Sequence, residues 1–215
     1  MIYLISDLHS GADADGFRRH IESVGDDDIT VILGDVGLKF EDTEECRKFD
    51  DWFLSLKKKI AIIDGNHENH PYLCSHPEDK AYGNTVHRLT DNIVYLKRGH
   101  IYEIEGKSCF VMGGCKSSQK WFDLGLVYEG ETPSADEIAL GKRALADRGN
   151  KVDYIFTHKY QKSSEGDIFA DTLEGLTAYI DKNVSFKKWY AGHFHGHYKV
   201  DDLHTIIYTE AVELE

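Results

Sequence analysis

Ile60-Ala61-Ile62-Ile63-Asp64-Gly65-Asn66-His67-Glu68 is the stretch on which the fold turns. A short isoleucine-rich run meets a glycine, and three polar side chains follow at once. Such a run, short and bounded by a turn residue, reads as a buried strand. Open α/β sheets present their reactive groups just past the carboxyl ends of their strands. Asn66, His67 and Glu68 therefore arrive together at the rim of a core. An Asn offers a carbonyl oxygen to a metal, and a His ligates or moves a proton.

The same device recurs on both sides. Residues 2–6 predict a strand ending in Asp7-Leu8-His9, and residues 29–33 a second ending in Gly34-Asp35. Helices are expected over 14–24 and 43–57, from apolar residues at helical spacing. Strand, helix, strand, helix, strand implies parallel pairing with right-handed crossovers. After residue 70 a connection without clear period runs to Asn84. Short strands then follow at 85–88, 93–97, 100–105 and 108–112, the last two joined by a tight turn at Glu105-Gly106-Lys107. Residues 115–133 have no period, and Trp121, Phe122 and Tyr128 there either cover the site or anchor the loop. Ser134-Ala135-Asp136-Glu137 is a capping box, so a helix starts there and ends near Asp147. A strand over 153–157 ends in His158, a helix covers 172–181, and a strand over 187–191 ends in Gly192-His193-Phe194-His195. A hairpin of 197–201 and 204–209 closes the chain. No repeat or linker divides it, so residues 1–215 are expected to form one domain.

Five strand ends thus carry one kind of cargo: Asp7 with His9, Asp35, Asn66 with His67, His158, and His193 with His195. Taken singly, an Asp after a strand is more often a turn former, and a lone His a surface residue. Five repeats of residue type and placement are not turn chemistry. Asp7, His9, Asp35, Asn66, His158, His193 and His195 are all nitrogen or oxygen donors, more than a four-coordinate structural zinc uses. They suit two six-coordinate ions sharing a bridging carboxylate, with positions left for water and substrate. Glu68 is expected to orient its neighbours by hydrogen bonds. Arg98 and Lys116, at or just beyond strand ends, are candidates to grip a phosphate.

The formal charge of −13 argues against an extended nucleic-acid groove. It leaves room for a small phosphorylated substrate at a site made positive by bound metal. No apolar run approaches the ~20 residues that span a bilayer. Cys46, Cys74, Cys109 and Cys115 lack CxxC spacing and are expected to be reduced thiols of a cytoplasmic protein.

Asp7-x-His9, Gly34-Asp35, Gly65-Asn66-His67-Glu68, Thr157-His158 and Gly192-His193-x-His195 resemble, in order, the five signature blocks of the calcineurin-like metallophosphoesterases. The resemblance spans residues 7–195 and extends to a small bacterial and phage subgroup. It implies a four-layer α/β/β/α sandwich of two mixed sheets flanked by helices, with two divalent ions at the strand ends. Asp7, His9 and His195 would hold one ion, Asn66, His158 and His193 the other, and Asp35 would bridge. His67 would not ligate but would serve near the leaving-group oxygen. The implied activity is hydrolysis of a phosphomonoester or phosphodiester by a hydroxide bridging the ions. Manganese is the first expectation; iron, zinc, nickel and cobalt are alternatives. The Ser/Thr phosphatases of this superfamily carry Gly-Asp-x-x-Asp-Arg-Gly, where this chain reads Gly34-Asp35-Val36-Gly37-Leu38-Lys39-Phe40. The acid that would orient His67 and a substrate-binding Arg are missing, which argues against a protein phosphatase. A catalytically silent binding or scaffold protein is the alternative, disfavoured because no ligand position is lost.

Overall fold

The computed structural model describes residues 1–161 and 172–214. The chain begins with β1 (Ile2–Ile5), a 3-10 turn (His9–Gly11), α1 (Asp15–Ser23), β2 (Ile29–Leu33), α2 (Glu44–Ser55) and β3 (Lys59–Ile63). It continues through α3 (His70–Cys74), β4 (Glu78–Ala81), β5 (Asn84–Arg88), β6 (Ile93–Leu96), β7 (His100–Ile104) and β8 (Lys107–Met112). The last part runs α4 (Gln119–Asp123), α5 (Ala135–Asp147), β9 (Tyr154–Thr157), α6 (Leu173–Asn183), β10 (Lys188–Ala191), β11 (Tyr198–Lys199), β12 (His204–Ile206) and β13 (Val212–Glu213). One sheet has the order β13-β1-β2-β3-β6-β5-β4, the other β11-β12-β10-β9-β8-β7.

Strand alternation sorts the apolar side chains into three cores. Leu4, Val31, Leu33, Ala61 and Ile63 face Val111, Tyr154 and Phe156 across the gap between the sheets. The intervening Ile5, Ile32, Ile60 and Ile62 turn the other way, onto Phe17 and Ile21 of α1 and Phe49 and Phe53 of α2. On the second sheet, Phe110, Met112 and Ile155 pack on Ile138 and Leu145 of α5 and Leu176 and Ile180 of α6. Three cores between four layers give the α/β/β/α sandwich. Each such fully buried side chain contributes roughly 1.5–3 kcal/mol, so neither sheet can expose its outer face cheaply.

Parallel pairing follows the sequence pattern where helices intervene. The β1–β2, β2–β3, β8–β9 and β9–β10 pairs are parallel. The β7–β8 hairpin is antiparallel, with Ile104 opposite Lys107 and left-handed backbone at Glu105 and Gly106. The capping box is formed: Ser134 Oγ accepts from Glu137 N, and Ser134 N donates to the Glu137 carboxylate at 2.7 Å.

The structure departs from the expected elements in three places. The connection over 70–84 contains β4, whose Glu78-Asp79-Lys80 are exposed at a sheet edge and carry no apolar signal. The period-free 115–133 stretch contains the short helix α4. The C-terminal β13 pairs antiparallel with β1. All four cysteines are free thiols. Among the described residues, no helix is long and apolar enough to cross a membrane.

Candidate metal centre

The carboxyl ends of β1, β2 and β3 and those of β9 and β10 come to one rim, with Asp7, Asp35, Asn66, His158 and His193 following the strands directly or within three residues. The backbone there is bent to serve the side chains. Asp7, His9, Asp35, His193 and His195 all have positive φ, between 44° and 70°. Asp and His visit this region more readily than most residues. Five such residues at one site are still the mark of backbone strain held for function. Small neighbours make room: a Cβ on Gly65 would stand 2.1 Å from Asp35 Oδ1, and one on Gly192 would stand 1.9 Å from Ser6 Oγ.

The donors form one contiguous cluster. Asp7, His9 and His195 converge, as do Asp7, Asp35 and His158, with ligand atoms within 4.8 Å of one another in each group. Asp35 Oδ2 lies 3.4 Å from His9 Nε2 and 3.4 Å from His158 Nε2, between the two sets. Asn66 Oδ1 lies 3.2 Å from His158 Nε2 and 3.0 Å from His193 Nδ1. All seven metal-ligand candidates read from the sequence are thus brought together.

Hydrogen bonds behind the donors aim them. His9 Nδ1 donates to Asp13 Oδ2 at 3.0 Å, and His158 Nδ1 donates to the Leu33 carbonyl at 2.8 Å. Each leaves its Nε2 facing the centre, the arrangement that fixes metal-binding histidines. Asn66 Nδ2 donates to Ser117 Oγ at 3.2 Å, which turns its carbonyl oxygen inward. Glu68 accepts from the backbone N–H groups of Asp35, Gly37 and Gly65 at 2.7–2.8 Å, tying the second and third strand ends together. The expected orienting role of Glu68 takes this form.

The electrostatics ask for a cation. Burial, partly offset by His158 and reinforced by Asp35, pushes Asp7 up. Burial also opposes charge on Asp35, but His158 beside it prevails and holds it well below the usual carboxylate range. His158 is desolvated too, yet Asp35 and Asp7 push it up to about 10. His9 Nε2 is buried and has no hydrogen-bond partner. An orphaned imidazole nitrogen between buried carboxylates fits a divalent ion, as does the oxygen–nitrogen donor set.

His67 sits beside this cluster. Its backbone N–H donates to Asp35 Oδ1 at 2.7 Å. Among the described residues none hydrogen-bonds its ring; aromatic edges hold it instead, Trp121 at 4.4 Å and Phe40 at 5.4 Å between centroids. Burial lowers its pKa despite the facing Asp35. Trp121 therefore lies over the site, while Tyr128 anchors the loop, its hydroxyl donating to the Phe40 carbonyl at 2.7 Å. From His9, His67 and His195 a cleft of about 930 Å³ opens between Phe40, Phe49, Trp52 and Trp121. Arg18 lies over the Trp52 ring at 3.9 Å.

Arg98 corrects the sequence expectation. It is 2% exposed and saturated: its guanidinium pairs with Asp64, reaches Glu137, and donates to the carbonyls of Gly130 and Glu131. Asp64 also accepts from the Tyr95 hydroxyl at 2.9 Å. A side chain so enclosed holds a loop and cannot grip a substrate. Lys116 is exposed. Two contributors escaped the sequence reading. Asp13, behind His9, stands in a helix approach with nothing to mark it. Cys115, 3.2 Å from Asn66 Oδ1, follows Gly113-Gly114 and read only as one of four reduced thiols.

A profile of the calcineurin-like phosphoesterases matches residues 1–197. No curated protein matches the sequence. One solved crystal structure, 12% identical, aligns over 96% of this chain and 88% of its own with a TM-score of 0.50, a likeness of fold alone. Another, the protein of unknown function AQ665 from Aquifex aeolicus, is 15% identical over 86% of this chain and 87% of its own, with a TM-score of 0.41.

Proposed function

Because the chain belongs to the calcineurin-like phosphoesterases, we propose that it is a binuclear, metal-dependent hydrolase of a small phosphomonoester or phosphodiester. The observation that carries this reading is Asp35 Oδ2, equidistant at 3.4 Å from a nitrogen of each donor set. Asp7, His9 and His195 would hold one ion and Asn66, His158 and His193 the other, with Asp35 between. Two such dications supply an acidified water and neutralise charge on the phosphoryl oxygens.

The chain's own residues do the rest. Asp13 and the Leu33 carbonyl keep His9 and His158 in register. His67, held between Phe40 and Trp121, stands where it can stabilise or protonate the leaving oxygen. The cleft receives the alcohol portion of the ester, and its aromatic walls favour a flat ring there. Lys116 remains the candidate phosphate contact at the surface. A reduced, cytoplasmic setting is consistent with four free thiols.

Metal-stripped protein assayed on bis-p-nitrophenyl and p-nitrophenyl phosphates, with and without added manganese or zinc, tests the reading. Turnover is expected only with metal. No metal-stimulated turnover on any phosphoester would leave the fold as a silent binding protein. His67→Ala is expected to keep its metal content and lose roughly 10²–10⁴-fold in kcat, the range of a general acid. An unchanged kcat would remove His67 from the chemistry.

A further inference from the structure

Cys115 follows the Gly113-Gly114 turn past β8 and is 1% exposed. Its Sγ lies 3.2 Å from Asn66 Oδ1 and 3.6 Å from His193 Nδ1. The donor atoms of Cys115, His158 and His193 all fall within 4.8 Å of one another. Sulfur at ~2.3 Å and nitrogen at ~2.0–2.1 Å from one ion lie roughly 3.1–3.6 Å apart, from octahedral to tetrahedral angles. The thiol, in hydrogen-bond contact with Asn66 and His193, therefore also stands within reach of an ion that they share.

Its placement is built. Gly114 N donates to the Asp64 carbonyl at 2.7 Å, and a Cβ on Gly113 would stand 2.1 Å from Asp64 Oδ1. The buried Asp64–Arg98 pair thus fixes the turn that delivers the sulfur. Ser117, two residues on, fixes the Asn66 amide from the other side.

The geometry points to Cys115 Sγ as a further ligand of the ion held by Asn66, His158 and His193. Cys115 joins the two-ion donor set proposed above and depends on it. On binding, the sulfur–metal bond forms, the S–H bond breaks and the proton passes to solvent; nothing is oxidised or reduced. A soft sulfur donor shifts this position from manganese towards zinc, iron(II) or cobalt(II).

Cobalt(II) titrated into the metal-stripped protein reads the assignment without substrate or turnover. The wild type should develop near-ultraviolet thiolate-to-cobalt charge-transfer absorption alongside visible d–d bands. Cys115→Ser should keep the d–d bands and lose the charge-transfer band entirely. A variant with Cys46, Cys74 and Cys109 changed to Ser should keep both, which tests Cys115 without altering it. The d–d bands without charge-transfer absorption in the wild type would overturn the sulfur ligand while leaving the two-ion centre in place. A band surviving in Cys115→Ser would overturn it as well. Absence of any cobalt absorption would overturn it together with the centre.

Discussion

Asp35→Asn is expected to lose metal-dependent turnover by more than the ~10²–10³-fold that removing a single oxyanion donor costs. The substitution keeps the shape of the side chain and one carbonyl oxygen, so Asp35 Oδ1 can still be replaced as acceptor for His67 N. What it removes is a full negative charge on a side chain only 1% exposed, placed between His9 and His158. Without that charge, the two dications of the proposed centre would repel each other with one less anion between them. Metal content measured on the purified variant should fall below that of the wild type in step with activity. A variant with full metal content and near-normal kcat would show that Asp35 shapes the loop and nothing more.

Arg98→Ala is expected to cost about 3–5 kcal/mol of stability, because it strands a buried carboxylate. Asp64 is 0% exposed, and among the described residues the Tyr95 hydroxyl alone would still donate to its carboxylate. For a chain of this size the loss corresponds to a Tm lower by roughly 6–20 °C. Arg98→Lys should recover only part, since an ammonium cannot reproduce the forked contacts to Asp64 and to the Gly130 and Glu131 carbonyls. Removing both charges, as Asp64→Leu with Arg98→Met, should be milder than Arg98→Ala alone. Thermal denaturation of the three variants checks the order. A Tm within a degree or two of wild type for Arg98→Ala would mean that water reaches Asp64.

The contrast between Asp35 and Arg98 marks what the sequence could and could not reveal. Asp7, Asp35, Asn66, His158 and His193 were legible because each ends an apolar run, and parallel strands carry such ends to one rim. Which side of the sheet each residue faces was not legible, because Leu4 and Ile5, or Ile62 and Ile63, are alike apolar and only the pleat sends them to different cores. Arg98 misled because a cation past a strand end looks solvated unless its partner is known, and Asp64 lies 34 residues away in the chain. Cys115 escaped for the same reason, its partners Asn66 and His193 being 49 and 78 residues distant. The edge strand β4 was hidden by its polar composition and by a Tyr82-Gly83 turn, both at positive φ, where Asn-Gly is the stronger signal. His67 shows the limit of motif reasoning: the missing acid suggested no orienting partner, and aromatic rings at Phe40 and Trp121 take that place.

Anomalous diffraction from crystals of the metal-loaded protein tests the two-ion centre most directly. Two peaks about 3.5–4 Å apart are expected, both in contact with Asp35, one beside Asp7, His9 and His195 and the other beside Asn66, His158 and His193. A lone peak, or peaks that leave Asp35 untouched, would contradict it.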